Sequence, residues 1–285
     1  MSPASSSPRP SPRGPFLAAD GFDRPRGVRA LAREASALTE AAQLVRRHRA
    51  GRRRRTAYVV ADRVAPLHPV VLVPGFMAGD ATLQGMAAEL RREGFRTYRS
   101  RIHVNVGCTR DAADHLEQRL EAIAERRGRR VSIVGHSLGG MLARGLAARR
   151  PDLVAGVVAL GSPVLAPGAV HRLLAWDAQL LSRLHDAGLR RVMGADCFGG
   201  DCARGSWEES RLPLPPEVAF TAVYSRRDGI VDWRACLDPA AEHVEVRSSH
   251  CGMAVDPAAI DVVVAALRGR LSGAGLATPP AARPA

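Results

Sequence analysis

Residues 131–140 read VSIVGHSLGG, and this stretch decides the fold. VSIV is a short β-branched run typical of a buried strand, and LGGMLARGLAARR at 138–150 has the composition of a helix. Ser137 therefore stands at a sharp strand-to-helix turn, flanked by Gly135 and Gly139. G-x-S-x-G in that setting is typical of a nucleophilic serine on a strained turn, because side chains two residues away would collide there. The alternative is a small residue in a glycine-rich corner.

Outward from this turn, short apolar runs alternate with longer segments rich in Ala, Leu and Arg. Strands are predicted at 68–76, 97–104, 129–135, 153–163, 218–225 and 242–249, and helices at 78–95, 111–128, 138–152 and 257–272. Continuous apolar strands that alternate with helices predict an α/β fold, with a mostly parallel sheet covered by helices on both faces. The alternation lapses at about 164–216. We interpret that segment as a cap or lid insertion, with a helix at about 170–184 that buries its apolar face on the domain and with turns at 197–207. The apolar face is predicted to consist of Val170, Leu173, Leu174, Trp176, Leu180, Leu181 and Leu184.

The composition changes along the chain and predicts three parts. Residues 1–60 are expected to form a disordered, Arg-rich arm containing one amphipathic helix at 28–45. The apolar face of that helix is predicted to consist of Val28, Leu31, Ala35, Leu38, Ala42 and Val45. The folded domain is expected at 66–271, and residues 272–285 form a flexible tail.

The charge of the chain is strongly positive. The formal net charge is +13, and the chain contains no lysine, so arginine supplies the charge. This excess fits a compositional bias better than a designed patch, and nucleic acid is not favoured as a partner. One local run, RRHRAGRRRR from Arg46 to Arg55, is predicted to be a solvated linker. Its alternative role is peripheral contact with an anionic membrane.

The cysteines and the first residues argue against a zinc-binding protein and against a secreted one. Five cysteines form no CxxC pair, and CFGGDC at 197–202 lacks partners at zinc-finger spacing, so neither a metal site nor a cofactor is predicted. Cys197 and Cys202 form either a small disulfide loop or two reduced thiols. The opening residues have no apolar core typical of a secretory signal, and no stretch reads as a transmembrane helix, so a cytoplasmic location is expected.

SIVGHSLGG, with VVLVPGF upstream and VVALGSP downstream, resembles the α/β-hydrolase superfamily and, within it, bacterial serine lipases and esterases. The resemblance covers roughly residues 66–270. It implies the α/β-hydrolase fold with a cap insertion, and a triad in the chain order Ser, then Asp or Glu, then His. A serine hydroxyl needs such a base and acid because it is a weak nucleophile on its own.

The later part of the chain offers residues in that order. His250 follows the last predicted strand in the loop SSHCG and is the candidate base. Asp228 is the first acidic residue after its strand, where the resemblance implies the triad carboxylate. Asp232 is the alternative acid, and either carboxylate could instead cap the next segment.

The oxyanion formed during acyl transfer needs two backbone N–H donors. One is expected from Leu138, directly after the serine. By resemblance, the other is Phe76 in VPGFMAG at 73–79, with Met77 as an alternative. Related lipases often have His-Gly where this chain has Pro-Gly, but the donor is a backbone group, so proline before Gly75 does not remove it.

The predicted function is hydrolysis of a carboxylester of medium or long acyl chain through an acyl-enzyme on Ser137. The apolar cap segment, together with Phe76 and Met77, favours a lipid or small-molecule ester over sugars or charged metabolites. Thioesterase or acyltransferase activity on the same triad remains open. Another alternative is a catalytically idle adaptor that binds anionic membrane or nucleic acid through residues 46–55.

Overall fold

The computed structural model describes residue 17 and residues 21–55 and 68–273. The strands are β1 (Pro69–Val73), β2 (Arg96–Arg99), β3 (Val131–His136), β4 (Val154–Leu160), β5 (Ala219–Tyr224) and β6 (Glu242–Glu245). The helices are α1 (Gly27–Glu34), α2 (Ser36–Arg55), α3 (Gln84–Arg92), α4 (Thr109–Arg127), α5 (Leu138–Arg149), α6 (Arg172–Asp186), α7 (Ala195–Gly199), α8 (Asp201–Glu209) and α9 (Pro257–Gly273).

The six strands form one sheet in the order β2-β1-β3-β4-β5-β6, and every neighbouring pair is parallel. The inner strands β1, β3 and β4 are buried along their whole length, which explains their unbroken apolar sequences. Because all strands run in one direction, their carboxyl ends meet at a single edge, where sites form in sheets of this type. The predicted α/β class and parallel sheet are confirmed.

Two hydrophobic cores fill the two faces of the sheet. Successive residues of a strand point to opposite faces, so Leu72 enters the core with α3 and α9, whereas Val71 enters the core with α4 and α5. Helix α4 ends as predicted at a glycine, since Gly128 adopts φ +63° and caps the helix in the left-handed conformation.

The cap segment between β4 and β5 differs from the prediction in two respects. Residues 197–207, expected to form turns, lie mostly in α7 and α8. In α6, the small residues Ala175, Ala178 and Ser182 are the buried ones, and Leu174 faces the cavity. The large apolar side chains expected to be buried, Leu173, Trp176, Leu180 and Leu184, are 39–67% exposed. The prediction failed because apolar spacing identifies a face without showing that the domain covers it.

The N-terminal helices also differ from the predicted arm. The chain forms two helices with a break at Ala35, and α2 continues through the arginine run to Arg55. Val28 and Leu38 of the predicted apolar face are about four-fifths exposed, while Leu44 and Glu40 are buried against the domain. Leu44 packs into the hydrophobic core, and Glu40 adds polar contacts that periodicity does not detect.

Part of the arginine run makes ion pairs with the domain. Arg47 contacts Asp261 at 2.7 Å and Glu89 at 3.4 Å, and His48 lies 2.6 Å from Glu89. At this end of the run, the predicted solvated linker is a docked helix. None of the described helices combines the length and the apolar character needed to cross a membrane. The segments 1–16 and 274–285, where disorder and a loose tail were predicted, lie outside the described residues.

Candidate active site

Ser137 occupies the sharp turn between β3 and α5. Its backbone has φ +51° and ψ −120°, a conformation that residues with a side chain rarely adopt and that persists only when the surroundings impose it. The Ser137 N–H donates to the Leu160 carbonyl of the neighbouring strand at 2.8 Å. The turn therefore holds the hydroxyl at the carboxyl end of the sheet, directly before the N-terminus of α5.

The flanking glycines are required by close backbone approach. A Cβ on Gly135 would lie 2.4 Å from the Gly139 carbonyl oxygen, and one on Gly139 would lie 2.3 Å from that of Val73. On Gly140 it would lie 2.0 Å from Ser162 Oγ. Gly140 thus lets α5 pack closely on the residues that follow β4.

Asp228 and His250 form a buried pair at the same edge. Asp228 Oδ2 accepts a hydrogen bond from His250 Nδ1 at 2.6 Å. Asp228 Oδ1 accepts from the N–H groups of Ile230 and Val231 at 2.8 and 2.7 Å, which orients the carboxylate. With Nδ1 engaged, Nε2 of the imidazole is the nitrogen left to take up a proton.

The pair lies beside Ser137. A Cβ on Gly161 would be 3.1 Å from His250 Nδ1 and 3.3 Å from Asp228 Oδ2, so both side chains rest against this glycine. Gly161 directly follows Leu160, whose carbonyl accepts the hydrogen bond from Ser137. The structure therefore brings together the three residues that the sequence proposed.

Asp232 takes a different place. Its Oδ1 accepts from the Arg234 N–H at 3.1 Å, capping a short 3-10 helix at Trp233–Cys236, and its Oδ2 accepts from the Asp23 N–H at 2.8 Å. Among the described residues, His250 is bonded by Asp228 and not by this alternative acid.

His136, the last residue of β3, packs against His250. The ring centroids are 4.9 Å apart, and His136 Nε2 donates to the His250 carbonyl at 2.9 Å. Burial, followed by the charge of His250, lowers the pKa of His136 to about 4. His136 is therefore neutral near pH 7 and acts as a hydrogen-bond donor to the loop.

The protonation of His250 reflects opposing influences. Burial favours the neutral ring, but the charge of Asp228, its hydrogen bond and the charge of Glu34 together raise the pKa of His250 above its ordinary value. The site thus favours a charged imidazole, which is the form a general base reaches during the reaction.

The loop after β1 carries the candidate oxyanion donors. The Met77 N–H donates to the Asn105 carbonyl at 3.0 Å, so the alternative donor is already engaged. Phe76 and Leu138 line the same cavity as Ser137. No acceptor for the Phe76 N–H is found in the part of the chain that the structure describes, and the first N–H groups of a helix such as α5 have no acceptor within it.

Asn105 was not identified from the sequence. Its Nδ2 donates to the Pro74 carbonyl at 2.9 Å, and its backbone N–H donates to the Ala78 carbonyl at 2.8 Å. Asn105 therefore holds both ends of the loop that carries Phe76. A lone asparagine in a loop gives no signal of this kind in a single sequence.

A cavity of about 180 Å³ opens beside Ser137 and is mainly apolar. Helix α5 forms one wall, and the cap helices α6, α7 and α8 form the other. Its lining includes Met141, Leu142, Leu174, Ala178, Phe198 and Trp207.

The N-terminal helices contact the His250 loop through two carboxylates, the partly buried Glu34 and the buried Glu40. Glu34 Oε1 accepts from the N–H groups of Gly229 and His250, and Oε2 accepts from that of Cys251, all at 2.9–3.0 Å. Glu40 accepts from the Ser249 N–H at 3.1 Å and from its hydroxyl at 2.8 Å. The sequence offered no indication that the arm reaches this loop.

The chain is similar to known hydrolases. The protein-family model described as "Alpha/beta hydrolase family" matches residues 70–282 of the sequence. A triacylglycerol lipase from Vibrio cholerae serotype O1 is 32% identical over 99 residues, which is 33% of this chain and 32% of the lipase. The match therefore spans about a third of that enzyme.

Solved structures share the fold at low identity. Mature lipase BlEst2 of Bacillus licheniformis gives a TM-score of 0.58 at 15% identity, covering 74% of this chain and 96% of that one. A structure from work on carboxylesterases of Nitrososphaera gargenis gives 0.52 at 16% identity, covering 72% and 92%. At these identities the likeness establishes the fold alone.

Proposed function

The chain belongs to the alpha/beta hydrolase family, and from that premise we propose that it is a serine carboxylester hydrolase that acts on apolar acyl esters. The observation that carries the proposal is the buried contact of His250 with Asp228, resting on Gly161 beside the strained Ser137. A base oriented by a carboxylate next to a serine is the arrangement that activates a hydroxyl for acyl transfer.

The reaction follows from these positions. Ser137 Oγ attacks the ester carbonyl while His250 Nε2 takes its proton, and Asp228 stabilises the imidazolium that forms. The N–H groups of Phe76 and Leu138 bind the oxyanion of the tetrahedral intermediate. His250 returns the proton to the leaving alcohol, and water then cleaves the acyl-enzyme by the same route.

The cavity supports an acyl chain as the bound group. Its lining is dominated by apolar side chains, and such a surface stabilises methylene groups by removing them from water, at roughly 0.8 kcal/mol per CH₂. Thioesters present the same acyl group, and an alcohol in place of water would make the enzyme an acyltransferase. These remain alternatives that a substrate panel separates.

The test is labelling of the full chain by a fluorophosphonate probe with peptide mapping, on the wild type and on Ser137→Ala, His250→Ala and Asp228→Asn. We expect an adduct on Ser137 that is absent from the first variant and strongly reduced in the other two. Hydrolysis of p-nitrophenyl esters of increasing chain length should favour medium or long chains. A folded wild type that neither labels nor hydrolyses any ester would overturn the proposal and favour the adaptor role.

A further inference from the structure

Three cysteines that are distant in sequence converge beside the cavity. Cys108 Sγ lies 3.4 Å from Cys202 Sγ, and Cys197 Sγ lies 3.8 Å from Cys202 Sγ. All three sulfur atoms lie within 4.8 Å of one another, and all three carry free thiols. We call these residues the thiol cluster. The sequence presented only Cys197 and Cys202 as a pair, since Cys108 precedes them by some ninety residues.

We propose that the thiol cluster binds a soft d¹⁰ metal ion of the Zn²⁺ class through three thiolates. Thiolate ligands select such ions. Zn–S bonds of 2.3 Å at tetrahedral angles place ligand sulfur atoms about 3.8 Å apart, close to the separations in the cluster. Three protein ligands leave a fourth position for water.

The surroundings of the thiol cluster act on thiolate formation in two opposing ways. Cys108 is the residue that precedes α4, and Cys202 lies in the first turn of α8, so two helix N-termini face the sulfur atoms. Burial, followed by the contact with Cys108, nevertheless raises the pKa of both Cys197 and Cys202 overall.

A bound cation would stabilise the thiolates and so offset the effect of burial on the thiol pKa values. On binding, three thiols release three protons to solvent, and the ion accepts three S⁻ ligands, so affinity should rise with pH. The ion would tie α7 and α8 of the cap to α4 of the core. Because Cys197 and Thr109 line the cavity, this link would also hold one end of the cavity in place.

The test titrates reduced, metal-free full-length protein with Zn²⁺, and with Cd²⁺ for its thiolate charge-transfer absorption. We expect one ion per chain by native mass spectrometry, and saturating Zn²⁺ should raise the Tm by about 5 °C. Cys108→Ser, Cys197→Ser and Cys202→Ser should each weaken binding at least about tenfold. Cys251→Ser, outside the cluster, is the matched control and should bind normally.

Two results would overturn the site. One is reduced wild type that binds neither ion. The other is binding that survives in all three variants. A disulfide found between two of these cysteines in protein purified without reductant, combined with no metal uptake after reduction, would assign the cluster to thiol oxidation instead. None of these readouts depends on catalytic activity.

A separate observation supports a second inference. The Glu34 carboxylate bridges the two loops that carry Asp228 and His250, because it accepts from Gly229 in one loop and from His250 and Cys251 in the other. Glu40 makes a parallel contact one residue earlier, at Ser249. Through them, α1 and α2 hold the candidate base from outside the sheet.

We infer that Glu34 is a positioning residue for His250, an inference that rests on the proposed function. In the described part of the chain, the charged or titratable groups that face the imidazole are Asp228 from the loop after β5, His136 from β3 and Glu34 from α1. Glu34 acts on both the position of the base and its charge. Its negative charge contributes to the raised pKa of His250, whereas Glu40 makes no resolved contribution there.

Glu34→Gln and Glu40→Gln form a matched pair. Both remove a carboxylate from the arm, but only Glu34→Gln should move the His250 titration to lower pH, followed by NMR of the imidazole protons. For the same reason, the acid limb of kcat/KM should move to lower pH in Glu34→Gln alone. Loss of the oriented loop should lower kcat about tenfold with a smaller change in KM.

An unchanged His250 titration in folded Glu34→Gln protein would overturn the positioning role, even if the wild type hydrolyses esters. Equal shifts in both variants would do the same, since they would reflect general loosening of the arm. The NMR titration works whether or not the protein is a hydrolase, so failure of this inference is distinguishable from failure of the proposed function.

Discussion

Asp228 Oδ2 and His250 Nδ1 are 2.6 Å apart, in side chains that are only 1% and 5% exposed. Such a contact in a water-poor site couples the protonation of the imidazole to both catalysis and stability. The two effects have opposite signs, and each gives a prediction.

Activity should rise with pH through the folded pKa of His250, because a general base must begin neutral. That pKa lies above the ordinary value of 6.5, despite burial, owing to Asp228 and Glu34. We expect the acid limb of kcat/KM for a neutral p-nitrophenyl ester to lie above pH 6.5. Asp228→Asn should move the limb to lower pH and reduce kcat by about a thousandfold or more. A wild-type limb well below 6.5 would contradict the assignment.

Stability should show the reverse dependence. A raised folded pKa means that the charged form is favoured in the folded state, so the stabilisation is fully present below the unfolded pKa, near 6.5, and is lost as pH rises through the folded pKa. The difference in unfolding free energy between wild type and Asp228→Asn should therefore be larger at pH 6 than at pH 9. Urea titration at both values measures it, and a difference that grows with pH would refute the linkage.

Gly135 and Gly139, the glycines that flank the turn at Ser137, should not tolerate a methyl group. In Gly135→Ala and Gly139→Ala, the new Cβ would lie 2.4 and 2.3 Å from backbone oxygen atoms, which cannot move without displacing the sheet or α5. We expect each to lower the unfolding free energy by about 3 kcal/mol or more. Gly269→Ala in α9 is the control, since its Cβ meets open space, and it should stabilise by about 0.5–1 kcal/mol. Chemical denaturation compares the three.

The turn at Ser137 and the contacts around the site show how much of the structure could be predicted from the sequence. Ser137, Gly135 and Gly139 were predictable because strand, turn and helix are contiguous there. Asp228 and His250 were proposed from the family resemblance together with their places after predicted strands, since parallel strands bring their carboxyl ends to one edge. The contacts of Glu34, Asn105 and Cys108 were not predictable. Each joins segments that no local period or spacing relates, and only the folded chain brings them together.

Asn105 should affect the transition state more than substrate binding. Asn105→Ala removes the Nδ2 donor to the Pro74 carbonyl and so loosens the loop that carries the Phe76 N–H. If Phe76 is an oxyanion donor, kcat should fall about tenfold or more with little change in KM, since that bond strengthens only as the oxyanion forms. Steady-state kinetics on one soluble ester suffices. A rise in KM at constant kcat would place the role of the loop in substrate binding.

Arg144 should be the most sensitive ion-pair residue of α5. It is 2% exposed, its Nε donates to Asp238 Oδ2 at 3.1 Å and its Nη1 donates to the Leu212 carbonyl at 2.9 Å. Arg144→Ala leaves the buried carboxylate of Asp238 without its charged partner, and should lower the unfolding free energy by about 3–5 kcal/mol.

The control for this prediction is a solvent-exposed pair. Arg226 lies 3.4 Å from Glu245 with its side chain 63% exposed, so Arg226→Ala should change the unfolding free energy by less than about 0.5 kcal/mol. Similar effects of the two substitutions in urea denaturation would mean that burial does not set the strength of the Arg144 contact.

The docked position of α1 and α2 has a consequence for biosynthesis. Glu34 is 216 residues from His250 and 217 from Cys251, so it leaves the ribosome long before the loop it contacts exists. Contacts of such sequence separation form late, after the entropy of closing the intervening chain has been lost. The helices α1 and α2 therefore cannot dock on the domain until β6 and the His250 loop have been translated, and their docking faces stay exposed until then. The same order of events makes the His250 loop the final part of the site to be assembled on each new chain.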